Sequence, residues 1–122
     1  MSEIVELQQQ LRAFATARDW DQFHSPKNLS MALIAEAAEL VEHFQWLGER
    51  ESAALDAATL AAVRLEAADV FIYLLRLADK LGIDLAAAAR DKIALNEQKY
   101  PADRVRGRAR KHTDPDFFGP DL

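Results

Sequence analysis

The sequence predicts an all-α protein, and three of its features support that class. Alanine is abundant, while glycine and proline number only four each in the whole chain. β-Branched residues form none of the runs that are typical of strands. Apolar residues recur at three- and four-residue spacing, which is the pattern of a helix with one packing face. We therefore expect a four-helix bundle that folds as a single domain.

The first two predicted helices have recognisable limits. The first covers residues 3–18 and should pack through one apolar face, made of Ile4, Leu7, Leu11 and Phe14. The second covers residues 26–47. Ser25 followed by Pro26 is typical of a helix start, and Gly48 is suited to a left-handed cap at the end.

The other two helices follow a polar connection over residues 49–56. The third covers residues 56–81 and stops at Gly82. Asp84 is the expected N-cap of the fourth, which ends near residue 99.

The end of the chain differs in composition from the rest. We expect residues 1–101 to form the helical domain and residues 102–122 a basic, loosely ordered tail. The charges of this tail come from Arg104, Arg106, Arg108, Arg110 and Lys111. A solvated charge run is the usual interpretation, although such a tail could also close over phosphates.

Two acidic pairs lie in the middle of the second and third predicted helices. The first is Glu36 with Glu39, and the second is Glu66 with Asp69, within a weak internal repeat. Spacing of i, i+3 places both carboxylates of a pair on one helix face. Apolar residues flank both pairs, and carboxylates beside packing surface are costly unless paired, hydrogen-bonded or metal-bound. Two antiparallel helices would bring all four together.

Four converging carboxylates favour a hard divalent cation, Mg²⁺ or Mn²⁺, with water completing the shell. Zinc is disfavoured because no histidine or cysteine pair accompanies the acids. The Glu-x-x-His motif of bundle di-metal oxidases is also missing, since His43 lies four residues after Glu39. The alternative is that each pair is a solvated acidic edge or takes part in an ion pair.

Two further groups of residues could bind a nucleotide. Lys92, Asn96 and Lys99 form one stripe of the fourth helix that could hold phosphate oxygens, or could be an ordinary solvated basic face. Trp20 and Trp46 lie near helix ends, the first of them close to His24. Such rings could stack on a base, or could be ordinary core or interface tryptophans.

Composition excludes several classes of function. The formal net charge of −5 argues against a nucleic-acid binder. Because the chain has no cysteine, it has no disulfide, no thiolate chemistry and no cysteine-built zinc site. No apolar run approaches the length of a membrane span, and the first residues lack a signal-peptide pattern. We therefore expect a cytoplasmic protein that binds neither membrane nor nucleic acid.

Apolar surface extends most of the way round the second and third predicted helices. A four-helix chain of this length cannot cover all of it. Self-association is therefore expected.

The acidic motif resembles a known metal site. Glu36-x-x-Glu39 followed by Glu66-x-x-Asp69 is similar to the motif of the MazG-like all-α nucleoside triphosphate pyrophosphatases. Further motifs, spread from Leu11 to Lys111, resemble the dCTP pyrophosphatase branch of that family. They are Arg18-Asp19-Trp20, Gln22-Phe23-His24, Pro26, Asn28-Leu29, Phe44-Gln45-Trp46, Tyr73, Lys92, Asn96 and Lys99-Tyr100-Pro101.

The resemblance implies a Mg²⁺-dependent hydrolase that cleaves the α–β phosphate bond of a deoxynucleoside triphosphate, with dCTP or modified dCTP favoured. The products would be the monophosphate and pyrophosphate. The implied metal ligands are Glu36, Glu39, Glu66 and Asp69. The implied phosphate contacts are Lys92, Asn96, Lys99 and Tyr100. The base would lie between Trp20 and Trp46 with His24 nearby, and the sugar near Tyr73.

Two further expectations concern the general base of the reaction and the assembly of the protein. Glu36 or Glu39 is expected to act as the general base. Proteins of this family work as homodimers or as dimers of dimers, with sites built across the subunit interface, which agrees with the surplus apolar surface.

Two alternatives differ from this interpretation. One is an enzyme of the same fold acting on dUTP or on a damaged nucleotide. The other is a helical interaction module without enzymatic activity, in which the acidic stripes are only structural. The second alternative leaves the cost of the flanked carboxylates unexplained.

Overall fold

The computed structural model of the protein describes residues 1–109 and 113. These residues form helices and turns with no strand, so the predicted all-α class is confirmed for the described chain. They form two compact units, Met1–Ile83 and the part that begins at Asp84. The helices are α1 (Glu3–Ala17), α2 (Pro26–Glu42), α3 (Glu49–Ser52), α4 (Ala57–Leu81), α5 (Leu85–Lys99) and α6 (Ala102–Val105), with a 3₁₀ turn at Asp21–Phe23.

Side-chain caps explain where the long helices begin. Ser25 Oγ accepts the N–H of Asn28 at 3.1 Å at the start of α2, where Pro26 occupies the first turn. Asp84 Oδ1 accepts the N–H of Ala87 at 3.0 Å at the start of α5. Each cap satisfies a donor that has no partner within its helix. Both predicted starts are confirmed.

The end of α4 is also confirmed. Gly82 adopts φ 66° and ψ 31°, the left-handed conformation that glycine reaches without a steric penalty. The following N–H, of Ile83, donates to the carbonyl of Ala78 at 2.9 Å and closes the last turn.

The predicted end of the second helix was wrong. α2 ends at Glu42, not at residue 47, and the chain continues through turns. The N–H groups of His43 and Leu47 donate to carbonyls three residues back, at 3.3 and 2.9 Å. The α-helical hydrogen bonds of α2 are thus replaced by the shorter 3₁₀ type, and the helix ends. Histidine, phenylalanine and tryptophan, which dominate this segment, are only moderate helix formers.

Gly48 is therefore not a left-handed helix cap. Its backbone is extended, with φ −76° and ψ 169°, and it precedes α3. The N–H of Gly48 donates to the Glu51 carboxylate at 3.4 Å. This contact is the glutamate half of a capping box, and it places a short helix within the predicted polar connection.

The packing face of α1 is shifted from the predicted one. Gln8 and Ala15 are its buried residues, while Leu7 and Phe14 are more than a third exposed. The Gln8 amide donates to the Leu75 carbonyl at 3.0 Å, and this bond offsets the cost of burying a polar side chain. A prediction from apolar spacing leaves glutamine out of the packing face, so it missed the contact of Gln8 with α4.

α4 is the central element of the first unit and packs against both α1 and α2. Gln8 and Arg12 of α1 contact residues 75 and 79, so α1 and α4 run in the same direction. His24, just before α2, contacts Arg76 near the end of α4, so α2 and α4 are antiparallel as predicted. The core consists of Ala15, Leu29, Leu75 and Ala78.

The second unit consists of α5, α6 and the residues that follow. Pro101 precedes α6, so the first residues of the expected loose tail form a short helix. Arg110 and Lys111 lie outside the described residues. Among the residues described, no helix combines the length and apolarity needed to cross a membrane.

Candidate active site

Three of the four predicted metal ligands come together between α2 and α4. Glu36, Glu39 and Glu66 each offer one carboxylate oxygen, and these three oxygens all lie within 4.8 Å of one another. The first two residues share a face of α2 because they are three residues apart, and antiparallel packing brings Glu66 opposite them. Asp69, the fourth predicted ligand, lies one turn further along α4 and is not part of this trio.

Burial makes the acidic trio unusual. Glu36 and Glu66 are half-buried, whereas Glu39 is exposed. In the described part of the chain, Oε2 of Glu36 and Oε2 of Glu66 are buried and have no hydrogen-bond partner. Buried polar atoms in proteins are normally paired, so two such oxygens in one cluster call for a ligand that the protein itself does not supply.

Burial and close negative charges also shift the pKa of one member of the trio, Glu36. Burial raises the pKa of Glu36, and the hydrogen bond and negative charge of Glu39 raise it further, as do the charges of Asp69 and Glu66. Like charges at this separation oppose one another's ionisation. A bound cation would relieve that repulsion, and an all-oxygen donor set suits Mg²⁺ or Mn²⁺. The residues present therefore fit the predicted metal.

His43 lies beside this cluster, with Nε2 3.8 Å from Glu66 Oε1. It also lines an open cavity of about 500 Å³ that continues over α3 towards Asp56 and Thr59. This cavity lies on the side where α2 ends, and none of the three glutamates is among its lining residues.

A second cavity, of about 350 Å³, gathers most of the predicted base and sugar residues. Trp20, His24 and Tyr73 all line it, and so does Asp69, which connects it with the acidic side of α4. Trp20 meets Phe14 edge to face, with ring centroids 5.8 Å apart. The full lining is Leu11, Phe14, Ala15, Trp20, His24, Asp69, Ile72, Tyr73 and Arg76.

Trp46 is not among the residues that line this cavity. It lies in the turns after α2 with 88% of its surface exposed, whereas Trp20 is 46% exposed. The structure therefore separates the two tryptophans that were expected to enclose one base. An indole that remains this exposed contributes nothing to the core of the chain.

An ion-pair network around the buried Arg76, at the wall of this cavity, was not predicted from the sequence. Arg76 is 3% exposed, and its guanidinium lies 3.1 Å from Asp21 Oδ1 and 3.2 Å from His24 Nδ1. Lys80 Nζ also donates to Asp21, at 2.6 Å, and the hydrogen bonds of Lys80 and Arg76 hold the pKa of that carboxyl below its usual range. The available signal was an arginine within the apolar run Leu74-Leu75-Arg76-Leu77.

The predicted phosphate stripe lies on α5, in the second unit. Lys92 and Asn96 are exposed, and Lys99 and Tyr100 are half-buried. Contact with the Lys99 side chain and the positive charge of that residue lower the pKa of Lys92. Two ammonium groups on one stripe of a helix form a concentrated positive charge of the kind that binds phosphate oxygens.

Comparisons with known proteins identify relatives of this chain. The MazG-like family model matches residues 32–114. dCTP pyrophosphatase 1 from Rattus norvegicus is 45% identical over 103 residues, which are 83% of this chain and 61% of that protein. The Homo sapiens protein of the same name is 43% identical over 103 residues, with the same coverage. This chain thus spans about three fifths of the length of the curated relatives it matches.

A solved structure is also similar. A pyrophosphatase from Archaeoglobus fulgidus superposes with a TM-score of 0.78 at 39% identity, over 83% of this chain and 94% of that one. The matched family region contains the acidic trio, Asp69, Tyr73 and the lysine stripe of α5. The chain belongs to the MazG-like family.

Proposed function

We propose that this protein is a Mg²⁺-dependent nucleoside triphosphate pyrophosphohydrolase, which converts a deoxynucleoside triphosphate to the monophosphate and pyrophosphate. The observation that carries the proposal is the acidic trio, in which two buried carboxylate oxygens have no partner among the described residues. The relatives named dCTP pyrophosphatase 1 and the structurally similar pyrophosphatase support the reaction class. They also favour dCTP or a modified dCTP as the substrate.

Glu36, Glu39 and Glu66 would hold the metal, with Asp69 as the fourth ligand. Asp69 is close enough for its charge to raise the pKa of Glu36. When bound, Mg²⁺ or Mn²⁺ would neutralise phosphate charge and acidify a coordinated water.

The general base is assigned to the first acidic pair. Glu36 and Glu39 lie one turn apart on α2, so a water molecule placed beside them can pass its proton to either carboxylate. Glu39 is the more exposed of the two and is better placed to exchange that proton with solvent.

The remaining residues would bind and orient the nucleotide. Lys92 and Lys99, with Asn96 and Tyr100, would contact phosphate oxygens and stabilise the charge that develops on the leaving pyrophosphate. Trp20 and His24 would contact the base in the cavity of about 350 Å³, with Tyr73 near the sugar. We assign Trp46 to the base as well, on the resemblance alone. The net charge of −5 favours a free nucleotide over nucleic acid as the partner.

Pyrophosphate release from a panel of canonical and modified dNTPs, with Mg²⁺ and with EDTA, tests the proposal. We expect metal-dependent release that is fastest with dCTP or a modified dCTP. Release led by dUTP or a damaged nucleotide would keep the chemistry and change the substrate. No release from any nucleotide would favour the interaction module.

A further inference from the structure

We propose that Arg76 is a positioning residue that fixes the tautomer of His24. Its guanidinium holds the imidazole neutral with the proton on Nε2, so that His24 presents an N–H donor to an acceptor oxygen of the bound nucleotide. The nucleotide part of this inference rests on the proposed function, whereas the tautomer itself does not.

The contact between the two side chains determines the direction of the hydrogen bond. Arg76 Nη2 lies 3.2 Å from His24 Nδ1. A guanidinium carries only donors and keeps its proton in proteins, so Nδ1 must be the acceptor. A neutral imidazole with an unprotonated Nδ1 carries its proton on Nε2.

Arg76 is held in place from several sides. Nη2 donates to Asp21 at 3.1 Å, and Nη1 lies 3.6 Å from Asp79 Oδ2. Arg12 binds Asp79 through two hydrogen bonds, at 2.6 and 2.7 Å, and Lys80 binds Asp21. Because both carboxylates are anchored by other cations, the guanidinium cannot rotate away from His24 without breaking this network.

The surroundings also keep His24 neutral. Burial lowers the pKa of His24, and the positive charges of Arg76 and Lys80 lower it further, against the opposing effect of Asp21. A neutral ring in one tautomer offers one donor and one acceptor, and Arg76 takes the acceptor.

His24 lines the cavity that also contains Trp20 and Tyr73. Since Arg76 occupies Nδ1, Nε2 is the ring nitrogen left for a ligand. An N–H donor at the edge of an aromatic cavity can pair with a base carbonyl or a sugar oxygen, and it repels a ligand group that is itself a donor.

Two-bond ¹H–¹⁵N correlation spectra of the imidazoles test the tautomer directly in the full chain, without nucleotide. His24→Gln assigns the His24 signal among the three histidines of the chain. We expect a protonated Nε2 and an unprotonated Nδ1 in the natural protein and in Arg76→Lys. Arg76→Met should lose this single state and give a mixture of tautomers.

Arg12→Met is the matched control, because it removes a cation from the same network without touching His24. It should leave the His24 spectrum unchanged, because Asp21, which is itself bound by Lys80, still holds the Arg76 guanidinium. Nδ1 protonated in the natural protein, or an unchanged spectrum in a folded Arg76→Met protein, would overturn the proposal. If Arg76→Met does not fold, the natural protein and Arg76→Lys still decide the tautomer.

Kinetics test the use of the donor. His24→Gln places an amide near the position of Nε2 and His24→Asn near that of Nδ1, so glutamine should retain more of the affinity. We expect Arg76→Met and His24→Asn to raise KM about three- to tenfold with little change in kcat. An equal KM for all variants would overturn the role in binding.

A comparison of nucleotides then locates the acceptor. A KM increase confined to dCTP and dUTP, and not seen with dATP, identifies a base carbonyl, since adenine has none. An equal increase for all three identifies the sugar. Because the spectra need no turnover, an inactive protein with the expected tautomer would count against the proposed function and not against this inference.

Discussion

At the scale of single residues, the acidic trio differs from its neighbours in having buried oxygens without partners. Glu66 supplies one of these from α4. We expect Glu66→Gln to lower Mg²⁺-dependent pyrophosphate release at least about 100-fold, since even the outer partners of metal ligands are worth 10–100-fold. Glutamine has nearly the same volume, so the thermal midpoint of the metal-free protein should change little.

Glu42→Gln is the control for this variant. Glu42 is an exposed carboxylate at the end of α2 and is not part of the trio. The two proteins should have similar circular dichroism spectra and melting curves. Full turnover by Glu66→Gln at ordinary Mg²⁺ concentration would exclude Glu66 as a metal ligand.

The two tryptophans allow a separate residue-scale prediction about the base. Trp20→Ala and Trp46→Ala should each raise KM for dCTP about 5- to 100-fold with a smaller effect on kcat, because stacking on an aromatic ring is worth roughly 1–3 kcal/mol. Trp46 is 88% exposed, so its removal should change the free energy of unfolding by less than about 0.5 kcal/mol. An unchanged KM in Trp46→Ala would place that indole outside the nucleotide site.

At the scale of elements, the end of α4 depends on one backbone conformation. Gly82 has φ 66°, which costs an L-residue about 1–2 kcal/mol. We expect Gly82→Ala to lower the free energy of unfolding by about that amount, measured by urea denaturation. Gly48→Ala is the matched control: φ is −76°, and the nearest atom to a new Cβ is Glu51 Oε1 at 3.4 Å. Its cost should be smaller than that of Gly82→Ala, because alanine adopts this extended backbone freely and only the N-cap preference for glycine is lost. Equal costs would contradict the left-handed cap.

The attachment of α1 to α4 should depend on pH through Asp79. The hydrogen bond from Arg12 holds the pKa of Asp79 below its ordinary value of 3.8. The ionised Asp79 carboxylate therefore stabilises the folded protein fully above pH 3.8. This stabilisation is lost as the pH falls through the lowered pKa of Asp79 in the folded protein. Asp79→Asn should therefore cost about 1–3 kcal/mol at pH 7. This difference from the natural protein should shrink below pH 3.8.

Chemical denaturation at pH 7, 5 and 3 measures that difference. Asp91→Asn, on the exposed surface of α5, is the control and should cost little at any pH. A cost for Asp79→Asn that stays constant down to pH 3 would show that the carboxylate charge does not hold the two helices together.

The sequence predicted the elements better than their ends and faces. The starts at Ser25 and Asp84 and the stop at Gly82 follow from local chemistry, in which a side chain or a left-handed backbone satisfies groups nearby. The two acidic pairs could also be predicted, because i, i+3 spacing is a property of a single helix. The end of α2 was misjudged because the aromatic segment after Glu42 has no strong stop signal.

Long-range pairing was the part that could not be predicted. Gln8 is buried only because the Leu75 carbonyl accepts its amide proton, and Arg76 only because Asp21 and Asp79 surround it. These partners lie more than fifty positions away in the sequence, apart from Asp79. The apolar run around Arg76 could have indicated its burial, but a single sequence offers no local signal for the partners of either residue.

At the scale of the whole molecule, exposed apolar side chains outnumber those that the core can hold. Leu60, Phe71 and Leu74 share one face of α4 and are between 38% and 57% exposed, while Ile34 on α2 is 69% exposed. Large apolar side chains left exposed on one helix face are typical of an interface in soluble proteins. We propose that these faces are covered by other copies of the chain.

Sedimentation velocity at micromolar concentration should therefore give two or four times the protomer mass. Leu60→Lys places a charge on the exposed face of α4 and should shift the protein towards the monomer, because an unpaired charge is costly inside an interface. Gln9→Lys adds the same charge at an exposed polar position of α1 and should leave the assembly intact. A natural protein that sediments as a monomer would contradict the interface. Loss of dCTP hydrolysis together with the assembly in Leu60→Lys, but not in Gln9→Lys, would mean that the nucleotide site needs both copies, since residue 60 itself lies outside the acidic trio and the base cavity.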